Sequence, residues 1–168
     1  SEETPLPDRA TAEYRSGIRS DGLLYAESRD GIHWDKPDLG IVEFADSTRN
    51  NLVMSTATHG FHGAGVLSDP DDPEPGRRFK AFFRNSSDKR MAVAFSPDGL
   101  HWDPSVNWPE HDAVGDTHNN AMRMDGDRFV GITRAWAGPK DQRLRVVVRS
   151  ESRDFVNWSE PVEVLRGD

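Results

Sequence analysis

No cysteine occurs among the 168 residues. Disulfides, thiolate metal ligands and thiol nucleophiles are excluded together. No apolar run approaches the roughly 20 residues a membrane-spanning helix needs. Residues 1–12 are polar, with two prolines, and lack the apolar core of a secretory leader. Neither absence fixes a compartment, so cytoplasmic and extracytoplasmic locations both stay open. Positive charge is scarce: 21 Lys and Arg stand against 29 Asp and Glu, a net charge of −8. Nucleic acid and anionic membrane, which need basic surfaces, are therefore not expected as partners. No stretch carries a convincing amphipathic helical period. The spacings of His59, His62 and His118 fit no zinc pattern, and no EF-hand spacing occurs. Neither a metal nor a cofactor is expected.

What is present is turns and short strands. The 14 Gly and 11 Pro cluster in short punctuating stretches, as in chains of many strands joined by turns. Five Trp and eight Phe supply a core despite the 30% of charged residues. The length suits one domain. Strands are expected at 11–17 and 23–28, as a hairpin around Asp21-Gly22. Others follow at 40–44, 52–55, 64–67, 79–84, 91–96, 128–134 and 143–150. The clearest hairpin joins 79–84 to 91–96, and an acidic, proline-rich loop covers 68–76.

One motif occurs three times. It reads Ser28-Arg29-Asp30-Gly31-Ile32-His33-Trp34, then Ser96-Pro97-Asp98-Gly99-Leu100-His101-Trp102, then Ser152-Arg153-Asp154-Phe155-Val156-Asn157-Trp158. Asp and Gly suit a tight turn, and each Trp offers a large surface to bury between neighbouring sheets. The tryptophans at 34, 102 and 158 are 68 and 56 residues apart. Repeats of this length, each holding about four short strands, are the mark of a propeller blade. The fold expected is all-β, a β-propeller, with blade-like repeats ending near 34, 102 and 158. Three repeats do not close a ring of four or more blades. Residues 1–168 are thus expected to form a single, incomplete domain, completed by further chain segments or by self-association.

A second repeat carries chemistry. Asp46-Ser47-Thr48-Arg49-Asn50-Asn51 and Asp116-Thr117-His118-Asn119-Asn120 each lead from a carboxylate to paired asparagines and an apolar run. In a propeller, the start of each innermost strand faces the axial funnel, so Asp46 and Asp116 would converge there, with Asp168 a third. Asn50, Asn51, Asn119 and Asn120 offer amides to sugar hydroxyls, or equally to their own backbone. His118 is a pocket hydrogen-bond donor or an exposed side chain. Arg134 is a partner for a pocket acid or a surface charge. Trp136 is a stacking surface for a sugar or the cover of an apolar edge.

The run Tyr25-Ala26-Glu27-Ser28-Arg29-Asp30-Gly31-Ile32-His33-Trp34-Asp35-Lys36-Pro37, with Leu39-Gly40 and Asn50-Asn51, resembles the five-bladed β-propeller proteins of the glycoside hydrolase family 32/43-like group. So do Asp116 to Ala121, Phe129-Val130-Gly131 and Thr133-Arg134, and the resemblance extends over 14–165. It implies a glycosidase with three carboxylates around a central pocket: a nucleophile or base, an assisting Asp and a Glu acid. Glycoside cleavage independently requires paired carboxyls. Asp69, in Leu67-Ser68-Asp69-Pro70, resembles an Arg-Asp-Pro element with Ser in place of Arg. Its run of Asp69, Asp71, Asp72 and Glu74 also reads as a solvated loop or a weak calcium site. Asp46, Asp116 and Asp69 are the candidate catalytic acids, and a carbohydrate is the expected ligand. The general acid is not identifiable, since Glu43 has no repeat partner. The rival reading is a non-catalytic carbohydrate-binding or structural propeller fragment. A sialidase would need three convergent arginines, which are not evident along the sequence.

Overall fold

Period-two alternation along short strands builds three antiparallel sheets. The structure, a computed structural model, describes residues 21–86, 89–103, 115–116 and 118–167. The first sheet pairs β1 (Gly22–Leu24) with β2 (Leu52–Ser55). The second runs in chain order through β3 (Phe61–Ser68), β4 (Phe79–Asn85) and β5 (Met91–Ser96). The third runs through β6 (Asn120–Arg123), β7 (Phe129–Ala137), β8 (Leu144–Ser152) and β9 (Val162–Arg166). Among the described residues the only α-helix is a single turn, α1 (Thr56–His59), closed by reciprocal bonds between Ser55 and Thr58.

The first strands of the three sheets are neighbours: β1 lies against β3, and β3 against β6. Gly65 permits the second approach. A Cβ there would fall 2.8 Å from the Asn120 Cα.

The middle sheet is buried on both faces. Ala81 and Phe83 of β4, with Ala92 and Ala94 of β5, face Val53, Met54, Phe61 and Trp102. Phe82, Met91, Val93 and Phe95 point the other way, to Phe129, Val146, Val148, Phe155 and Trp158. Each of Trp102 and Trp158 thus fills the space between its own sheet and the one before it, as the repeat implied. Trp34 does not: it is 57% exposed, and Ile32 beside it 77%, because no sheet covers that face among the described residues.

The three motif turns share one hydrogen-bond scheme. The Asp Oδ1 accepts two backbone N–H groups, at 2.8 and 2.8 Å in the first turn, 2.8 and 2.8 Å in the second, 2.9 and 2.7 Å in the third. Its Oδ2 meets His33 Nδ1 and His101 Nδ1 at 2.7 Å, and accepts from Asn157 Nδ2 at 2.6 Å. Asn replaces His because the position requires an N–H at that place, which an amide supplies equally well. Each Trp Nε1–H then closes the turn on the backbone oxygen of Gly31, Gly99 or Phe155.

These bonds act on the acids. The His33 side chain, then backbone N–H groups, hold Asp30 well below the usual carboxylate range. Burial pushes Asp98 and Asp154 up, but the hydrogen bonds from His101 and from Asn157 outweigh it, leaving Asp154 at about 2. A carboxyl lowered on folding stabilises the fold above its unfolded pKa and loses that contribution as pH falls through its folded pKa. The melting temperature should therefore fall progressively from about pH 4 to pH 2. Asp154→Asn should melt lower than wild type at pH 7 and show a shallower acid-side decline. An equally steep decline in the variant would remove this turn as a source of acid lability.

Several elements differ from expectation. The strand expected at 23–28 covers only Gly22–Leu24, followed by a single bridge from Glu27 to Asp35. The strand expected at 40–44 is reduced to one bridge, Phe44 to Ser47. The strand Val162–Arg166 was not anticipated, since its exposed Val-Glu-Val-Leu-Arg has no turn signal before it. The strand expected at 11–17, the lead-in before it, Thr117 and Asp168 lie outside the described residues.

Candidate functional site

The starts of the three neighbouring first strands bring Asp21, His62 and Asp116 together. Asp21 precedes β1. Its backbone is tied to the head of α1, where Thr56 N–H donates to the Asp21 carbonyl at 2.9 Å. His62 is the second residue of β3. A bulge between His62 and Ala64, with Gly63 at φ 53°, re-aims the strand there. Asp116 precedes β6, and Asn119 fixes its backbone to that bulge. The Asn119 amide donates to the Asp116 and Gly63 carbonyls, each at 2.6 Å, and accepts from the Thr133 hydroxyl.

The side chains form a line. His62 Nδ1 lies 2.5 Å from Asp21 Oδ2, and its Nε2 lies 3.3 Å from Asp116 Oδ1. The other Asp116 oxygen pairs with Arg134 at 2.8 Å. Both imidazole nitrogens face carboxylates, so both bonds form together only when the ring carries two protons. Partial burial pushes the Asp116 carboxyl up. The His62 hydrogen bond and the charges of Arg134, His62 and Arg84 outweigh it and hold Asp116 below its ordinary range. Asp116 is thus kept ionised, as a base or an electrostatic anchor must be, while a general acid must hold a proton.

Arg84 completes the group. It lies directly opposite His62 in the β3–β4 register, so both side chains leave the same face. Arg134 is anchored differently, with its guanidinium 4.8 Å from the Trp136 ring centroid. Arg145 lies 5.5 Å from the same ring. Trp136 is therefore a platform for cations in this structure.

The other expected site residues sit elsewhere or are engaged by the protein. Asp46 and Ala45, at φ 59° and 50°, are the central pair of a tight turn closed by Phe44 and Ser47. Two positive φ values in sequence define the primed turn that suits a hairpin. That turn precedes β2, the second strand of its sheet, so the two acid-asparagine segments are not structural equivalents. The acid that stands where Asp116 stands, before a first strand, is Asp21. The Asn50 amide donates to the Val42 and Ser47 carbonyls, and that of Asn51 donates to the Tyr25 carbonyl. Asn119 is 1% exposed, whereas His118 and Asn120 are exposed.

Asp69 is 3% exposed and clamped by Lys80 and Arg123. It lies beneath the acidic loop, away from the His62 group. Its neighbour Asp72 also binds Lys80, at 2.7 Å. Concavities of about 350 and 410 Å³ lie beside the third and first motif turns, lined by Ser152, Asp154 and Asn157 or by Ser28, Asp30 and His33. They recur because the turn recurs, and Asp116 lines neither.

No protein-family model matches the sequence, and no curated protein matches it. One solved structure does: an N-acetylgalactosamine deacetylase from F. plautii, in complex with blood group B trisaccharide. It superposes with a TM-score of 0.53 at 18% sequence identity, over 83% of this chain and 44% of that chain. The likeness is one of fold, and this chain spans less than half the length of that structure.

Proposed function

We propose that this chain is an arc of a five-bladed β-propeller from a hydrolase acting on glycans, with its chemistry centred on Asp116 and His62. The observation that carries the reading is the Asp21–His62–Asp116–Arg134 line at the mouths of three neighbouring first strands. Asp116, kept ionised, takes a proton from water or steadies positive charge developing on a sugar ring. His62 is the proton carrier, oriented from behind by Asp21, in the manner of a base set by a carboxylate. The fold likeness to an enzyme crystallised with a trisaccharide supports a carbohydrate as ligand. A second reading, glycan binding without turnover, is favoured by one fact: both Asp116 oxygens are already engaged by His62 and Arg134.

The test is a hydrolysis screen with aryl glycosides and N-acetylhexosaminides, following both aglycone and acetate, alongside glycan binding. Hydrolysis is expected, and Asp116→Asn should lower turnover by about 100-fold or more, the usual scale for a positioned proton-transfer group. Unchanged turnover would remove Asp116 from the chemistry. Binding without turnover, lost in Asp116→Asn, would establish the second reading. Absence of both would sink the glycan assignment.

A further inference from the structure

Arg84 is a cation with no contact ion pair among the described residues, although its charge reaches Asp116. It stands opposite His62 across β3 and β4, half-buried, and makes no ion pair or side-chain hydrogen bond among the described residues. Its Nε is shut off from solvent and has no partner, and the same holds for Arg134 Nε. Buried donors left unpaired are costly, so such groups call for a partner. Two guanidinium groups, Arg84 and Arg134, act on Asp116, and of the two only Arg134 is in contact with it among the described residues. A guanidinium presents a planar fork of N–H donors, which a carboxylate matches in shape and charge. A neutral sugar would leave the charge-matched acceptor of that fork missing.

We propose that Arg84, flanked by Arg134, receives the carboxylate of an acidic sugar, making the ligand of this site a glycan that contains a uronic acid. The inference rests on the glycan reading above and adds the anionic group that such a ligand must carry. Asp116 remains the reacting side, and Arg84 selects the substrate by its charge. Arg84 has no ion-pair partner in contact with it among the described residues, while Arg134 is held in place by Asp116 and Trp136.

Calorimetric titration of the protein tests this, with D-glucuronides and D-galacturonides compared against the matching glucosides and galactosides. At least one uronide should bind about tenfold or more tightly than its neutral counterpart, the scale of a charge-assisted hydrogen bond. Added salt should erode that preference. Arg84→Met should abolish the preference for the uronide over its neutral counterpart, and Arg84→Lys should retain part of it. A melting curve on each variant separates lost binding from lost fold, and Arg84→Lys keeps the test valid if Arg84→Met does not fold. Equal binding of acidic and neutral sugars overturns the inference and leaves the glycan reading standing. So does a preference that survives in folded Arg84→Met. Sodium acetate competing as well as the uronide would also overturn it, since the site would then select a bare anion. No binding by any of the sugars overturns both readings.

Discussion

Lys80→Met should destabilise the fold by about 3–5 kcal/mol, the usual cost of breaking a buried ion pair from one side. Lys80 sits on β4 between Phe79 and Ala81, in a strand otherwise dominated by aromatic and apolar side chains, and is 1% exposed. Its ammonium meets Asp69 at 2.9 Å, Asp72 at 2.7 Å and the Arg77 carbonyl at 2.6 Å. All three ammonium protons are thus placed. Asp69 also receives Arg123, which comes from β6 of the next sheet. The cluster therefore ties the acidic loop and two sheets to one cation. Methionine keeps the stem's volume but removes the cation that the two carboxylates share, leaving Asp69 to Arg123 and Asp72 to the Glu74 N–H and the charge of Arg77. Urea unfolding measures the loss. A change below about 1 kcal/mol would mean that the cluster behaves as a surface pair. Asp69→Asn, which keeps the shape and one acceptor, should cost less than Lys80→Met.

Phe155→Ala should cost a similar 3–5 kcal/mol, through lost burial and the cavity left behind. The ring is fully buried, with Phe129 at 5.2 Å, Trp158 at 5.3 Å, Phe95 at 6.1 Å and Phe82 at 6.4 Å between ring centroids. Those partners come from both the middle and the third sheet. Yet Phe155 occupies a glycine position. Its φ is 63°, where the equivalent Gly31 and Gly99 have 75° and 79°. A side chain in that region is strained by about 1 kcal/mol or more. The third turn thus accepts backbone strain to insert an aromatic anchor. Phe155→Gly should therefore be less harmful than Phe155→Ala, reversing the order normally seen when glycine replaces a larger residue. Thermal or urea unfolding of the pair decides it. Glycine measuring worse than alanine would show that the left-handed strain is not released.

How far these features could be read along the chain depends on their range. The Ser-x-Asp turns were legible because every bond in them spans two or three residues. The hairpin of β4 and β5 was legible from its aromatic and aliphatic alternation, and the structure pairs Phe79 with Ser96 and Arg84 with Met91. Asp21 was read only as part of a local turn. An Asp-Gly dipeptide is a strong local turn signal, and β1, which begins at Gly22, has neighbours that lie far along the sequence. His62 bonds residues 41 and 54 positions away, and no local spacing encodes that. Asp46 was placed by likeness to Asp116, yet the two segments share composition and not position within a sheet. Lys80 was invisible as a buried cation because a lysine in an alternating strand ordinarily marks the solvent side. The counter-charges that reverse this, Asp72 and Asp69, lie in the loop eight and eleven residues earlier.

The middle sheet, buried on both faces, sets an order of events for the molecule in motion. β5 is buried at every position, and its two faces belong to different clusters of the core. Either outer sheet can part from it while the other stays packed, but β5 reaches water only after one of them has left. Hydrogen exchange is therefore expected to be fastest at β1–β2 or at β9 and slowest at β5. His62 and Arg84 belong to the sheet that holds, and Asp21 and Asp116 to its two movable flanks. The line of charges linking them therefore crosses both boundaries at which the sheets would part.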